Sequence, residues 1–247
     1  MTLKNFFTEN PKAAIGFSGG VDSAYLLYAA MQCGAQIQPY YIKTALQPEF
    51  ELEDARRLAE QVGVSLKILE ADALSCEKIT ENSKDRCYHC KRTMFGLLRE
   101  QALTDGYTLL LDGTNASDDI SDRPGMRALC ELSVRSPLRE CGLGKEEIRE
   151  LSKKAGLFTW NKPAYACLAT RIPRGRTITK ELLRRVERAE SALFNLGFSD
   201  FRVRIYGEGA RIELLPEQQQ MALDKRDDIL KQLAPMFDAV MLDLKGR

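Results

Sequence analysis

The apolar run Ala13-Ala14-Ile15-Gly16-Phe17 stops at Ser18-Gly19-Gly20-Val21-Asp22-Ser23, and helical sequence follows. This is the pattern of a strand that turns sharply into a helix. Two glycines let a backbone approach an anion, because no Cβ stands in the way. Ser18 and Ser23 add hydroxyls, and the unpaired N–H groups of the following helix, at the positive end of its dipole, face the same place. A strand–loop–helix of this kind builds a pyrophosphate pocket. Asp22 is out of place beside phosphate unless a Mg²⁺ lies between them, since a hard cation takes carboxylate and phosphate oxygens together. No lysine follows the glycines, so this is not the Gly-x-x-x-x-Gly-Lys-Ser/Thr loop.

The sequence around the loop predicts an α/β fold. Strands are expected at 37–42, 66–69 and 107–111, with helices at 2–9, 24–31, 51–62, 90–103 and 144–155 between and around them. This alternation predicts a doubly wound, mostly parallel sheet with its ligand at the carboxyl ends of the strands. Asp112-Gly113-Thr114 also lies at such an end, so Gly113 is expected beside the Ser18 loop. Residues 115–127 are expected to form a polar functional loop. After residue 178 the pattern changes. Thr179 caps a helix over 181–196, 201–206 and 211–214 read as a hairpin, 218–233 as a helix and 239–244 as a last strand. The expected division is a nucleotide domain over 1–158, a linker over 159–178 carrying Cys167, and a small α+β domain over 179–247.

Net charge is +1 over 247 residues, which gives no global reason to expect nucleic acid. No signal peptide or membrane-spanning stretch is evident, so a cytoplasmic location is expected. Seven cysteines in that compartment point away from a disulfide framework and toward metal or redox chemistry. Cys87 and Cys90 form a Cys-x-x-Cys at the start of a helix, where thiol pKa values fall, and Cys167 sits far along the chain. Four readings are open for these three: a 4Fe–4S cluster with one open iron, a Zn²⁺ site drawing on His89 or Cys167, a Cys87–Cys90 redox pair, or packing. Cys33, Cys76, Cys130 and Cys141 have no close partner at metal-binding spacing.

Ser-Gly-Gly-x-Asp-Ser resembles the PP-loop of ATP pyrophosphatases, which split ATP into AMP and pyrophosphate. Over most of its length the chain resembles the LarE family of PP-loop sulfur transferases. The resemblance includes 17–23, 87–95, 111–113, Asp122 to Ala128, Trp160-Asn161-Lys162, Cys167 to Pro173, and Arg202-Val203-Arg204 with Ala210 to Leu214.

The resemblance implies ATP-dependent conversion of the carboxylates of pyridinium-3,5-biscarboxylic acid mononucleotide to thiocarboxylates, through an acyl-adenylate, for the nickel-pincer nucleotide of lactate racemase. It implies ATP contacts from Ser18, Gly19, Gly20, Asp22, Ser23, Gly113 and Arg123, and substrate contacts from Arg171, Glu190, Arg202, Arg204 and Glu213. One subtype of the family sacrifices the sulfur of a cysteine at the position of Cys167. The other holds a 4Fe–4S cluster on three cysteines, and the Cys87/Cys90 pair points to it. Sulfide or a persulfide donor and a homo-oligomer are the implied partners, with neither nucleic acid nor membrane.

Arg202 and Arg204 share one face of a period-two strand and can clamp a phosphate. The competing reading is a solvated sheet face with Glu213 as counter-ion. A PP-loop tRNA thiolation enzyme and a non-catalytic iron–sulfur or zinc sensor are the rival functions.

Overall fold

The computed structural model describes residues 1–118 and 124–247. The elements run α1 (Leu3–Glu9), β1 (Lys12–Gly16), α2 (Val21–Gln32), β2 (Gln36–Lys43), α3 (Glu49–Val62) and β3 (Lys67–Glu70). A short α4 (Glu77–Thr80) precedes the long α5 (Arg86–Thr104), β4 (Leu110–Leu111), α6 (Pro124–Glu131), α7 (Pro137–Glu140) and α8 (Lys145–Lys154). Then come α9 (Lys180–Asn195), β5 (Arg202–Tyr206), β6 (Gly209–Glu213), α10 (Gln219–Asp224), α11 (Arg226–Leu233) and β7 (Val240–Leu242).

The chain forms two compact units. One comprises Met1–Ala73 with Lys84–Tyr165, the other Leu74–Ser83 with Ala166–Arg247. The stretch 159–178, expected as a linker, is thus shared between them, and 74–83 joins the second unit. Asn82 secures that segment there: its side chain donates to the carbonyls of Ile172 and Pro173 at 3.2 and 2.8 Å.

The first unit holds a parallel sheet in the order β3-β2-β1-β4. β1 explains why its sequence is apolar without alternation. Ala13 and Ile15 pack into one core with Phe6, Leu26, Leu27 and Leu58. Ala14 packs into the other with Tyr40, Leu98 and Leu110. Both faces are buried, as parallel sheets require. The chain goes from β1 outward to β2 and β3, then returns to β4 on the other side of β1. The crevice where the order reverses lies at the carboxyl ends of β1 and β4, the usual ligand position in such sheets.

The α/β class holds, while several elements differ from expectation. β4 is two residues long, because only Leu110 and Leu111 pair with Ala14 and Ile15. Helix α5 begins at Arg86, so both Cys87 and Cys90 lie within the helix. The expected loop over 115–127 becomes helix α6 from Pro124, a residue suited to a first helical turn. In the second unit β5 and β6 form the expected antiparallel hairpin, and β7 adds parallel to β6. The expected helix over 218–233 breaks at Lys225, whose ψ of 17° leaves the helical range. Its ammonium instead reaches the carbonyl of Leu196 at the end of α9, at 2.6 Å.

Candidate functional site

The Ser18 loop closes on its own hydroxyls. Ser23 Oγ donates to the Gly20 carbonyl at 3.2 Å and accepts from the Ser18 N–H at 3.3 Å. Ser18 Oγ accepts from the Gly20 N–H at 3.3 Å and lies 3.1 Å from Ser23 Oγ. No side chain caps the start of α2, so its first-turn N–H groups face the loop uncapped. Gly19 has φ +71°, and a Cβ there would stand 3.0 Å from the backbone N of Ala55 on α3. A Cβ on Gly113 would stand 2.9 Å from the backbone N of Ser23. Only glycine permits both approaches, and together they press the β1 loop against α3 and the β4 turn.

A cavity of about 530 Å³ opens here, lined among others by Ser18, Gly20, Asp22, Ser23, Gly113 and Cys87. Its size suits a nucleotide-scale ligand. Asp112, 5 % exposed, braces the β4 side. It accepts from Ser136 Oγ at 2.6 Å and from Thr114 Oγ1 at 2.5 Å. Asp118 Oδ2 accepts from the Asn115 N–H at 3.1 Å, and Ser117 Oγ accepts from the Lys145 N–H at 3.0 Å.

Lys145 is a neighbour of the loop that the sequence reading did not single out. Its ammonium donates to Asp22 Oδ2 at 2.6 Å. The available signal was a lysine at the first position of a helix, where the dipole disfavours a cation. Asp22 Oδ1 is buried with no hydrogen-bond partner among the described residues. An orphaned carboxylate oxygen beside a phosphate-shaped loop fits Mg²⁺ in its donor chemistry.

Cys87 is exposed and Cys90 half-buried, one helical turn apart on α5. Cys90 Sγ lies 3.4 Å from Met94 Sδ. Two thiols at i and i+3 share a face and fit a soft metal centre. His89 projects about 200° from Cys87 around the helix and stacks edge-on against Tyr88, away from the thiol pair. Within either unit, no three His, Cys, Asp or Glu side chains among the described residues gather as a metal-binding set.

The remaining candidates lie in the second unit, apart from Arg123, which is outside the described residues. Arg171 and Glu190 are 1 % and 2 % exposed and paired, with Arg171 Nε and Nη2 reaching the two carboxylate oxygens at 2.9 and 3.2 Å. Glu190 also accepts from the Val203 N–H at 2.9 Å. Arg171 Nη1 donates to the carbonyls of Ala166 and Cys167 at 2.6 and 3.3 Å. These two residues thus hold the backbone of the Cys167 turn. Arg202 is buried and donates to the Phe201 carbonyl at 2.7 Å. Arg204 Nε reaches both Glu213 oxygens at 2.6 and 2.7 Å, and Arg211 adds a bond to Glu213 at 2.8 Å. Glu213 therefore is a counter-ion, while the Arg204 side chain remains 35 % exposed.

The chain is similar to several known proteins. The family model for queuosine biosynthesis protein QueC matches residues 12–103. The pyridinium-3,5-bisthiocarboxylic acid mononucleotide synthase of Lactiplantibacillus plantarum is 33 % identical over 99 % of this chain and 90 % of its own. An uncharacterized protein of Synechocystis sp. is 39 % identical over 99 % of this chain and 92 % of its own. The tRNA-specific 2-thiouridylase of Thermotoga petrophila is 26 % identical over 61 % of this chain and 54 % of its own. Full-length similarity to the synthase, joined to the PP-loop cavity, places the chain in the LarE family of PP-loop, ATP-dependent sulfur transferases.

Proposed function

We propose that this sulfur transferase converts carboxylates of pyridinium-3,5-biscarboxylic acid mononucleotide to thiocarboxylates, in the making of the nickel-pincer nucleotide. The observation that supports this reading is that Cys87 lines the same cavity as Ser18, Asp22 and Ser23. A phosphate loop and a soft thiol in one cavity suit activation by ATP followed by sulfur transfer.

A carboxylate is a poor electrophile because its charge repels nucleophiles and oxide leaves badly. Attack on the α-phosphorus makes an acyl-adenylate and releases pyrophosphate. The Ser18 and Ser23 hydroxyls and the first N–H groups of α2 hold the departing charge in place. Asp22 Oδ1 would hold Mg²⁺, which supplies neutralisation of phosphate charge. Lys145 keeps Asp22 from repelling the nucleotide.

Cys87, Cys90 and Cys167 are the residues that would hold a 4Fe–4S cluster, which would supply sulfide-level sulfur. Arg171 and Glu190 fix the turn that carries Cys167. Arg204, whose side chain is partly exposed while its Nε binds Glu213 and its Nη1 the Thr170 carbonyl, is assigned to the phosphate of the substrate.

Anaerobic purification with iron, sulfide and zinc analysis tests the cluster. Four irons and four sulfides per chain are expected, and loss of both in Cys87→Ser. Zinc near one equivalent without iron refutes the cluster. Pyrophosphate release from ATP, the pyridinium mononucleotide and sulfide tests the reaction. No release refutes it, and loss of one sulfur from Cys167 after a single turnover identifies a sacrificial donor instead.

A further inference from the structure

Lys162 joins two helices of the first unit. Its ammonium lies 2.6 Å from Asp54 Oδ2 on α3 and 5.6 Å from the centre of the Phe50 ring. Its carbonyl accepts from Arg149 Nη2 on α8 at 2.9 Å, and the Trp160 carbonyl accepts from Arg149 Nη1 at 2.8 Å. The side chain therefore grips α3, while α8 grips the main chain. The Lys162 side chain is 16 % exposed and that of Asp54 29 %. Water and salt screen such a pair less than one on the open surface, and the Phe50 ring adds its own attraction for the cation.

Each of these helices also bears on the phosphate loop. On α3, Asp54 directly precedes Ala55, whose backbone N would stand 3.0 Å from a Cβ on Gly19. On α8, Arg149 lies one turn after Lys145, whose ammonium reaches Asp22 Oδ2 at 2.6 Å. The contacts close a ring. It runs from Gly19 to Ala55 and Asp54, across Lys162 to Arg149 and Lys145, and back to Asp22, three residues from its start. A phosphate loop binds through backbone N–H groups, so its affinity depends on where the backbone is held. A shift of α3 or α8 away from the loop would carry those donors out of place. Lys162 opposes both shifts at once.

We propose that Lys162 is a positioning residue for phosphate binding, acting through Asp54 on α3 and Arg149 on α8 to hold the Ser18–Ser23 loop in the shape that takes pyrophosphate. The inference rests on the ATP reading. It gives a role to the Trp160-Asn161-Lys162 segment, which the reaction steps leave unused.

Calorimetric titration of the full chain with magnesium-pyrophosphate, magnesium-ATP and AMP tests it. Lys162→Met keeps the apolar stem and removes the charge. It is expected to weaken pyrophosphate and ATP about tenfold, as loss of one hydrogen bond to a charged group would, and AMP less than about twofold. Its far-ultraviolet dichroism spectrum is expected to match wild type. Lys162→Arg, which keeps the charge, is expected to restore most of the affinity. Asp54→Asn is expected to match Lys162→Met, and the double variant to bind no more weakly than either single one, because both remove the same tie. Where Lys162→Met fails to fold, Asp54→Asn carries the same test. Unchanged pyrophosphate affinity in the folded variants, with or without a fall in Tm, overturns the proposal. Equal weakening of AMP and pyrophosphate also overturns it, as do additive losses in the double variant. A wild type that binds AMP but not pyrophosphate overturns the phosphate loop and the proposal with it. One that binds neither overturns the ATP reading as well.

Discussion

The Lys145 ammonium lies 2.6 Å from Asp22 Oδ2, joining the phosphate loop to a helix 123 residues later in the chain. Alone, an aspartate on the first turn of α2 suits the helix dipole but repels a triphosphate. The lysine cancels that repulsion on one oxygen and leaves Oδ1 buried and unpaired. The arrangement therefore presents a nucleotide with a neutralised loop and one oxygen ready for a cation. The cost falls on α8, whose first residue is a cation at the wrong end of a dipole. Glu146 and Glu147, in the same turn, offset it.

Lys145→Met is thus expected to lower kcat/KM for pyrophosphate release about 100-fold, the low end of the range seen when one charge-stabilising donor is removed. Folding should be unaffected, because the pair is partly exposed, at 31 % and 22 % for the two side chains. Raising magnesium should recover part of the loss, since the cation then carries more of the neutralisation. A variant with wild-type kinetics at low magnesium contradicts the role given to Lys145.

Gly19→Ala tests the shape of the loop. Alanine at φ +71° carries a strain of roughly 1–2 kcal/mol, and its Cβ would meet the Ala55 backbone at 3.0 Å. Relief requires the loop to move away from α3. The expected outcome is at least a tenfold loss of ATP affinity by calorimetry with an unchanged far-ultraviolet dichroism spectrum. Retained affinity would mean that the phosphates do not depend on this approach.

Arg171 and Glu190 form a buried pair, so removing one partner strands a charge. Arg171→Met is expected to destabilise the protein by roughly 3–5 kcal/mol in urea denaturation. Arg171→Met combined with Glu190→Met should regain most of that loss, because apolar pairs often replace buried ion pairs without penalty. Sulfur transfer should stay low in the double variant. The carbonyls of Ala166 and Cys167 still lack the Nη1 donor that holds their turn. Full activity there would reduce the pair to a purely structural role.

Legibility in the sequence followed locality. The Ser18–Ser23 loop was readable because its glycines, hydroxyls and flanking strand are contiguous, and the β–α alternation announced the sheet. Glu213 as a counter-ion was also readable, as one of two alternatives, although the register sets Arg202 opposite it and the ion pair runs diagonally to Arg204. The Lys145–Asp22 pair was not, because Lys145 acquires its meaning from a partner that only the tertiary fold supplies. The break at Lys225 escaped for a similar reason: a long apolar periodicity hides a bend that a distant carbonyl stabilises. The entry of 74–83 into the second unit left no compositional trace, because Asn82 secures it through side-chain bonds to carbonyls 90 and 91 residues away.

Asp105 offers a test of stability that is separate from catalysis. It closes α5, accepts from Lys67 Nζ at 2.7 Å, and is bonded by the hydroxyl of the fully buried Tyr40. The bond from Lys67, with that from Tyr40, holds the carboxyl below the ordinary carboxylate range. A carboxyl whose folded pKa lies below its unfolded value gives up protons more readily when folded. Its contribution is therefore complete above the unfolded value, near 3.8, and is lost as pH falls through the folded value. Tyr40 moves in the opposite sense, pushed above its ordinary pKa by burial and by the bond to Asp105, so it stays a neutral donor throughout this range. Asp105→Asn keeps the size of the side chain but not its charge. Its Tm is expected to be a few degrees lower than wild type at neutral pH and to fall less steeply below about pH 4, so the two curves converge in acid. Parallel curves across that range would show that Asp105 does not carry the linkage.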